Sequence, residues 1–265
     1  NDSNSLAGSL VTTVCGDKNG SVFILSQKGL NQYSQVDRSM KLLKTDPVDA
    51  IAYGTRYLWI ATVQKLNTYR NDKLEPYLEL PQIKSAIKRI YETSDQRIFI
   101  GTLSSGLFVI DQNKKVKIVL ADCSQVSSIF EDNKKNVWVG TWQHGLYKID
   151  RNSKITNYMP DNQSTESSIS SNFVRAICQD NNGFIWIGTK KGLDRLNPET
   201  GVFKHNNADD GNYNRLSNES VWALLKDSQG SIWVGTYFGG VNYFNPEIDF
   251  YSLHNLQKGV FLNKP

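Results

Sequence analysis

The sequence predicts an all-β protein, a β-propeller of four-stranded antiparallel blades, on three observations. The stretch 174–203, VRAICQDNNGFIWIGTKKGLDRLNPETGVF, breaks into four short β-prone runs separated by turn residues. Copies of that stretch run through the chain in one register, six in all. The copies recur every 36–48 residues or so, four strands each, which is the pattern of radially repeated blades.

Within the type unit, Val174 to Gln179 is the first strand and Asp180 to Gly183 a turn. Phe184 to Thr189 is the second strand, Lys190 to Gly192 turns again, and Leu193 to Leu196 is the third. Asn197-Pro198-Glu199-Thr200-Gly201 then leads into the fourth. The best copy is 221–250, followed by 126–150 and by the copy opening at Ile87. Weaker copies open at Val48 and Val11. Phe23, Phe99, Trp138, Trp186 and Trp233 each lie twelve residues after the opening aliphatic of their unit, and Trp59 lies eleven after its own. The expected spans are 9–45, 46–84, 85–124, 125–170, 171–216 and 217–256, together one propeller domain over 1–265.

The chain of 265 residues is long enough for one propeller core, and 11% aromatic content suits blade packing. No apolar run approaches the roughly 20 residues that span a bilayer. The chain opens at Asn1 with no signal-peptide pattern, so the simplest expectation is a portion of a longer protein. A net charge of +4, with no run of five Lys or Arg, gives nucleic-acid binding little support. Cys15, Cys123 and Cys178 have neither CxxC spacing nor a His at metal-ligand spacing. They read as small buried thiols, and neither a metal nor a cofactor is expected.

Turn chemistry orders the units. Asp17 to Gly20, Asp180 to Gly183 and Asp227 to Gly230 place an Asp that accepts backbone N–H groups before a Gly that supplies positive φ. In unit 4 the glycine is expected to be replaced by Asn136, and in unit 3 Arg97 is expected to impose a different turn. Unit 2 shortens the turn to Gly54-Thr55-Arg56 and turns the recurrent Gly-Thr pair into Ala61-Thr62. The intact pairs, Gly101-Thr102, Gly140-Thr141, Gly188-Thr189 and Gly235-Thr236, put glycine inside a strand. That is costly unless chains approach closely there, as between blades. The aromatic anchors are expected to pack between adjacent sheets. Asn197 to Gly201 and Asn245-Pro246-Glu247 make the third hairpin. The polar stretches 160–172 and 205–220 are loops between units.

The wording V-x-A-I-x-x-D-x-x-G-x-I-W-I-G-T-x-x-G-L-x-x-L-N-P-x-T-G-x-F resembles the two-component regulator propeller repeat. Units 4 to 6 match closely and units 1 to 3 as degraded copies. The resemblance implies the N-terminal periplasmic sensor propeller of a hybrid two-component system of Bacteroidetes, and GTYFGGVNYFNP at 235–246 is similar to the blade closing the first of two such propellers. It implies a full-length sensor histidine kinase, anchored in the bacterial inner membrane, that controls polysaccharide-utilisation genes. Its partners would be a second propeller and an immunoglobulin-like domain of the same chain, and a second copy in a homodimer. This portion itself would be no enzyme and would meet the membrane only through segments outside it. The resemblance also implies seven blades. Either this propeller has six, or a first blade lies outside the sequence.

Propellers bind ligands on the face where the inner strands begin. By register, the second turns bring Lys28, Lys65, Ser104, Ser105, Trp142, Gln143, His144, Lys190, Lys191, Tyr237 and Phe238 to that face. The strand entrances bring Thr12, Asp49, Lys88, Ser127, Arg175 and Trp222. Aromatic faces stack on sugar rings, and Arg or Lys pairs with carboxylate or sulfate, Arg bidentately. An acidic or sulfated oligosaccharide suits this set, and an ordinary solvated basic rim is the plainer reading. The predicted ligand residues are Trp142, His144, Arg175, Lys190, Lys191, Trp222, Tyr237 and Phe238, all from consecutive units. No catalytic residues are expected: there is no GxSxG, HExxH or phosphate loop, and His144, His205 and His254 stand singly. A protein-interaction scaffold, or a lyase- or sialidase-like propeller enzyme, remains as the alternative.

Overall fold

The computed structural model describes residues 5–17, 19–44, 47–123, 125–206 and 216–246, and the backbone of the strand at 250–254. It contains six four-stranded antiparallel sheets, each a meander of consecutive strands, so the all-β propeller fold class and the six blades are as the sequence predicts. Blade 1 holds β1 (Val11–Gly16), β2 (Ser21–Ser26), β3 (Gly29–Ser34) and β4 (Ser39–Lys44). Blade 2 holds β5 (Ala50–Tyr53), β6 (Leu58–Thr62), β7 (Lys65–Arg70) and β8 (Lys73–Glu79). Blade 3 holds β9 (Ile87–Glu92), β10 (Ile98–Thr102), β11 (Leu107–Ile110) and β12 (Val116–Leu120). Blade 4 holds β13 (Val126–Glu131), β14 (Val137–Thr141), β15 (Leu146–Ile149) and β16 (Ile155–Tyr158). Blade 5 holds β17 (Val174–Gln179), β18 (Ile185–Thr189), β19 (Gly192–Leu196) and β20 (Phe203–Asn206). Blade 6 holds β21 (Val221–Lys226), β22 (Ile232–Thr236), β23 (Gly240–Asn245) and β24 (Phe250–His254). The chain divides into two compact bodies, Asn1–Val126 and Ser127–Pro265.

In each body the core lies between blades. In the N-terminal body, Phe23, Leu25 and Leu30 of blade 1 pack on Ile51, Leu58 and Ile60 of blade 2. Trp59 and Leu66 of blade 2 pack in turn on Ile87, Ile98 and Phe108 of blade 3. In the C-terminal body, Trp138 and Leu146 meet Val174, Ile177 and Ile187, while Trp186 and Leu193 meet Val221, Ile232 and Phe244. The second strands IWIGT and VWVGT are buried at every position, which explains why they read as apolar runs and not as alternations.

The Gly-Thr pair has a dual role. A Cβ on Gly188 would stand 2.6 Å from Val221 Cγ1, one on Gly140 2.6 Å from Val174 Cγ1, and one on Gly101 2.4 Å from Val126 Cγ1. The close approach foreseen from the glycine is therefore between blades. What approaches is the opening aliphatic side chain of the next unit, and not its backbone. The threonine hydroxyl closes the following turn, as in Thr141 Oγ1 to the Gly145 carbonyl at 2.8 Å and Thr189 Oγ1 to that of Gly192 at 3.0 Å.

The first hairpins repeat one design. Asp180 Oδ1 accepts the backbone N–H groups of Asn182 and Phe184, both at 3.0 Å, and Oδ2 accepts the indole Nε1–H of Trp186 at 2.8 Å. Asp132 with Trp138 and Asp227 with Trp233 do the same. Two turn expectations are corrected. The left-handed residue of unit 4 is Lys135 (φ 68°), and Asn136 is one place further on. In unit 3 it is Gln96 (φ 65°), so Arg97 imposes nothing and the turn is of the same kind. There Thr93 N–H bonds the Arg97 carbonyl, as Asp180 N–H bonds that of Phe184. The third hairpin at Asn197 forms as expected, with Gly201 at φ 74° and its N–H on the Asn197 carbonyl.

The stretch 160–172 contains a short 3₁₀ turn, η1 (Thr165–Ser167). The loop expected from 205 starts later, because His205 and Asn206 belong to β20. Residues 207–215 of that loop and Glu247 of the last turn lie outside the described residues. The cysteines are free, and burial pushes the thiols of Cys15, Cys123 and Cys178 up to about 11, 11 and 12. No helix among the described residues is long and apolar enough to cross a membrane.

Candidate functional site

In the C-terminal body a β-bulge opens the inner strand of blades 5 and 6. Val174 pairs with Thr189 but Ala176 with Gly188, so Arg175 is the extra residue. Val221 pairs with Thr236 but Ala223 with Gly235, so Trp222 is the extra residue. A bulge re-aims its side chain, which is how an entrance residue leaves the sheet plane for the face.

These bulges meet the second turns in an aromatic platform. Trp222 and Tyr237 stack with centroids 5.7 Å apart and planes at 30°. Trp142 meets the edge of Trp222 at 6.5 Å and 83°, and Phe238 lies 4.1 Å from Tyr237. The Arg175 guanidinium sits 4.3 Å over the Trp222 ring. Such a cation–π contact at a partly desolvated site is worth on the order of 1 kcal/mol. Its Nη1 donates to Ser220 Oγ at 2.6 Å and to the Val221 carbonyl at 3.4 Å. Partial burial lowers the guanidinium pKa, yet Arg stays a cation. Lys190 Nζ stands 5.3 Å over Phe173, and Phe173 pairs with Trp142 across a β-bridge.

The platform is open to solvent. Trp222 is 44% exposed, Tyr237 49% and Phe238 90%. Phe238 also adopts φ 63°, a region that a bulky residue enters at a cost of about 1–3 kcal/mol. A large apolar side chain held in a strained conformation and left in water contributes little to folding. Both features are expected of a contact residue.

Of the eight predicted ligand residues, contacts bring together Trp142, Arg175, Trp222, Tyr237 and Phe238, and Lys190 joins through Phe173. His144 lies in the same turn as Trp142, half-buried, its backbone N–H on Thr141 Oγ1 at 3.2 Å. Lys191 is exposed beside Lys190, its backbone N–H on Thr189 Oγ1. Phe173 and Ser220 were not foreseen. Both immediately precede an opening aliphatic, and that position was the available signal. Ser127 is turned inward, its hydroxyl on the Val174 carbonyl at 2.6 Å.

Gln143 donates its backbone N–H to the Asn172 carbonyl, and the other entrance and turn residues belong to the N-terminal body. There Lys65 pairs with Glu79 at 3.2 Å, the Ser104 and Ser105 N–H groups share Ser85 Oγ, and Thr12 Oγ1 bonds the Leu25 carbonyl. Burial raises the Asp49 carboxyl above the usual range. No aromatic stack forms among these entrance and turn residues, since none of Thr12, Lys28, Asp49, Lys65, Lys88, Ser104 and Ser105 carries a ring. Among the described residues no cluster of three His, Cys, Asp or Glu could hold a metal ion.

Comparison with known proteins agrees with this division. The family model described as "two component regulator propeller" matches residues 121–143, 168–191 and 215–238, which carry the first hairpins and second turns of blades 4, 5 and 6. Comparison with curated proteins gave no match. Among solved structures, the chain is similar to the extracellular domain of a protein described as a one-component system from B. thetaiotaomicron, at TM-score 0.71 and 23% identity over 88% of this chain. The chain spans 32% of that structure's length. A second structure, described as the extracellular domain of a hybrid two-component system from the same organism, gives TM-score 0.62 and 22% identity, with 91% of this chain and 39% of that one covered. Virginiamycin B lyase from Staphylococcus aureus gives TM-score 0.71 at 14% identity, covering 93% of this chain and 84% of that one. At these identities the likeness is one of fold. In its last three blades the chain is thus similar to the two-component regulator propeller repeat.

Proposed function

We propose that this chain is the sensor propeller of a hybrid two-component system, exposed outside the cytoplasm, and that it receives an oligosaccharide on the platform of blades 4 to 6. The observation that carries the reading is the exposed aromatic strip backed by Arg175, with Phe238 held at positive φ. Flat rings fixed by neighbours offer a sugar face a stacking surface at small entropic cost. Lys190 and Lys191 at the rim supply the charge that an acidic or sulfated sugar would meet, while Arg175 already spends one nitrogen on Ser220 and Val221. Binding then acts by differential affinity for two arrangements of the full-length protein. In this reading the signal reaches a kinase beyond the inner membrane and controls polysaccharide-utilisation genes. A second propeller, an immunoglobulin-like domain and a homodimer partner are its other expected contacts.

Calorimetric titration against neutral, uronic-acid and sulfated oligosaccharides tests the reading. The expected result is saturable binding to at least one, weakened tenfold or more in Trp222→Ala and in Arg175→Ala, with folding preserved. A tenfold loss corresponds to about 1.4 kcal/mol. Absence of saturable binding across the panel would refute a saccharide site on this chain alone. The second reading, a docking surface for another domain, is favoured by Phe238 at 90% exposure. It predicts that Phe238→Ser weakens association with that domain and leaves saccharide titrations flat.

A further inference from the structure

The connector from blade 4 to blade 5, residues 159–173, is fastened to blade 5 around one buried carboxylate, with Ser170 Oγ also 2.9 Å from Thr189 Oγ1 and the Lys190 N–H on the Phe173 carbonyl. Asp194 on β19 is fully buried, and its Oδ2 accepts the Ser170 N–H at 2.8 Å and the Ser170 hydroxyl at 3.0 Å. Blade 6 has the same latch in neutral form: Asn242 Oδ1 accepts the Ser217 N–H at 2.9 Å, and Asn242 Nδ2 donates to Ser217 Oγ. Blade 5 differs in having a carboxylate, and the carboxylate has a histidine beside it.

His205 on β20 places Nδ1 2.7 Å from Asp194 Oδ1 and Nε2 2.9 Å from the Thr165 carbonyl oxygen. A carboxylate oxygen and a peptide carbonyl are both acceptors. Neutral imidazole has one N–H and therefore satisfies only one of them, whereas imidazolium satisfies both. A neutral imidazole would leave one nitrogen lone pair facing an oxygen. The ring is further fixed by stacking on Phe203, with planes at 12°.

We infer that His205 is held as an imidazolium between Asp194 and the Thr165 carbonyl, and that this cation clamps the blade 4–5 connector in a hold that loosens as pH rises. The charged group bonded to it is Asp194 on β19; Glu166 follows Thr165 on η1, and Lys204 precedes His205 on β20, where strand alternation turns it to the opposite face. Arg195 on β19 turns away, its guanidinium over Phe184 and Trp186. Asp194 stabilises the cation most, and partial burial opposes it; the net effect raises the imidazole pKa. A histidine whose folded pKa is raised adds stability that is complete below its unfolded value of about 6.5 and is lost as pH passes the folded value. The clamp is therefore complete below about pH 6.5 and loosens as pH rises through the raised folded value. The connector it holds runs directly into Phe173 and Arg175. The inference does not depend on what the platform binds.

Nitrogen-resolved NMR of the histidine ring, paired with amide hydrogen exchange of the connector, tests it. At pH 6 both His205 nitrogens should carry protons, and the ring should titrate above about 6.5. The Ser170 amide, after correction for intrinsic exchange, should lose protection as pH rises through that titration. In His205→Gln the amide should be less protected at pH 6, and its pH-dependent step should vanish. Asp194→Asn should shift the His205 titration downward. A neutral single tautomer at pH 6 would overturn the inference, as would Ser170 protection that is identical in wild type and His205→Gln at both ends of the range.

Discussion

Blade 5 and blade 2 hold the same tryptophan by different means. In blade 5 the Trp186 indole donates to Asp180, six residues earlier in its own hairpin, and the ring is 1% exposed. In blade 2 the hairpin has no such Asp, and the Trp59 indole donates to Glu92 of blade 3 at 2.6 Å. Glu92 also takes the Thr55 N–H and hydroxyl of the shortened turn. Blade 5 is thus closed on itself, while blade 2 relies on its neighbour. An indole N–H buried in a core needs an acceptor, and a degenerate repeat survives when the next blade supplies it. The same contrast appears at the glycine of blade 5: Gly188 lies under Val221, whereas blade 2 has Ala61, fully buried.

Removing the acceptor in each blade is the strongest way to break the comparison. Asp180→Ala strips a buried indole and two turn N–H groups of their partner, and should cost about 2–4 kcal/mol in urea unfolding. Glu92→Ala also strips the buried Trp59 indole, but water can reach its other donors at the exposed Thr55, so it should cost less, about 1–2 kcal/mol. The difference between the two losses is the quantity to measure. Equal losses would mean that the intrablade bond confers no special stability.

Transplanting the alanine is the second test. Gly188→Ala brings the blade 2 residue into blade 5 and sets a Cβ 2.6 Å from Val221 Cγ1. Val221 is β-branched and fully buried, so the blades must separate, at about 1–3 kcal/mol. At Gly235 the nearest atom to the same Cβ is Ala223 Cβ at 3.4 Å, an ordinary contact. Gly235→Ala should therefore leave the thermal midpoint unchanged or raise it slightly. A fall in both variants alike would show that glycine is needed for its backbone and not for the space above it.

These two contrasts also mark what was legible in the sequence. The blades were, because strand runs, hairpin Asp and strand Gly repeat at fixed spacing and each has a local physical reason. Aromatic residues at the second turn and the strand entrance could be placed on one face for the same reason. The turn at Lys135 was misread by one place because Asn136 is the better left-handed residue by type, yet the hydrogen-bond pattern fixes the position and lysine accepts it. Propensity lost to register there. The Asp180–Trp186 bond was missed although both residues were singled out, since a six-residue spacing across a hairpin shows contact only once the pairing is known. Ser170 meets Asp194 across 24 residues and Asp194 meets His205 across 11, and no local pattern announces such a latch.

The misread turn gives the finest test of how far a repeat tolerates drift. Lys135 at φ 68° and Gly183 at φ 88° occupy the same hairpin position in adjacent blades. An L-residue in the left-handed region costs about 1–2 kcal/mol, which glycine avoids. Glycine also has more backbone entropy to lose on folding, about 0.5–1 kcal/mol. Lys135→Gly should then stabilise by a few tenths of a kcal/mol up to about 1 kcal/mol, read as a higher urea midpoint at unchanged m-value. Gly183→Lys runs the exchange backwards. A Cβ there meets nothing closer than 3.8 Å, so the loss reports backbone strain alone and should match the gain in size. A much larger loss at Gly183 would mean that blade 5 fixes its hairpin more tightly than blade 4. Asn136 offers a reason to expect equality instead: its side-chain amide and backbone N–H both bond Asp132, so the hairpin of blade 4 is held as firmly as its neighbour despite the lysine.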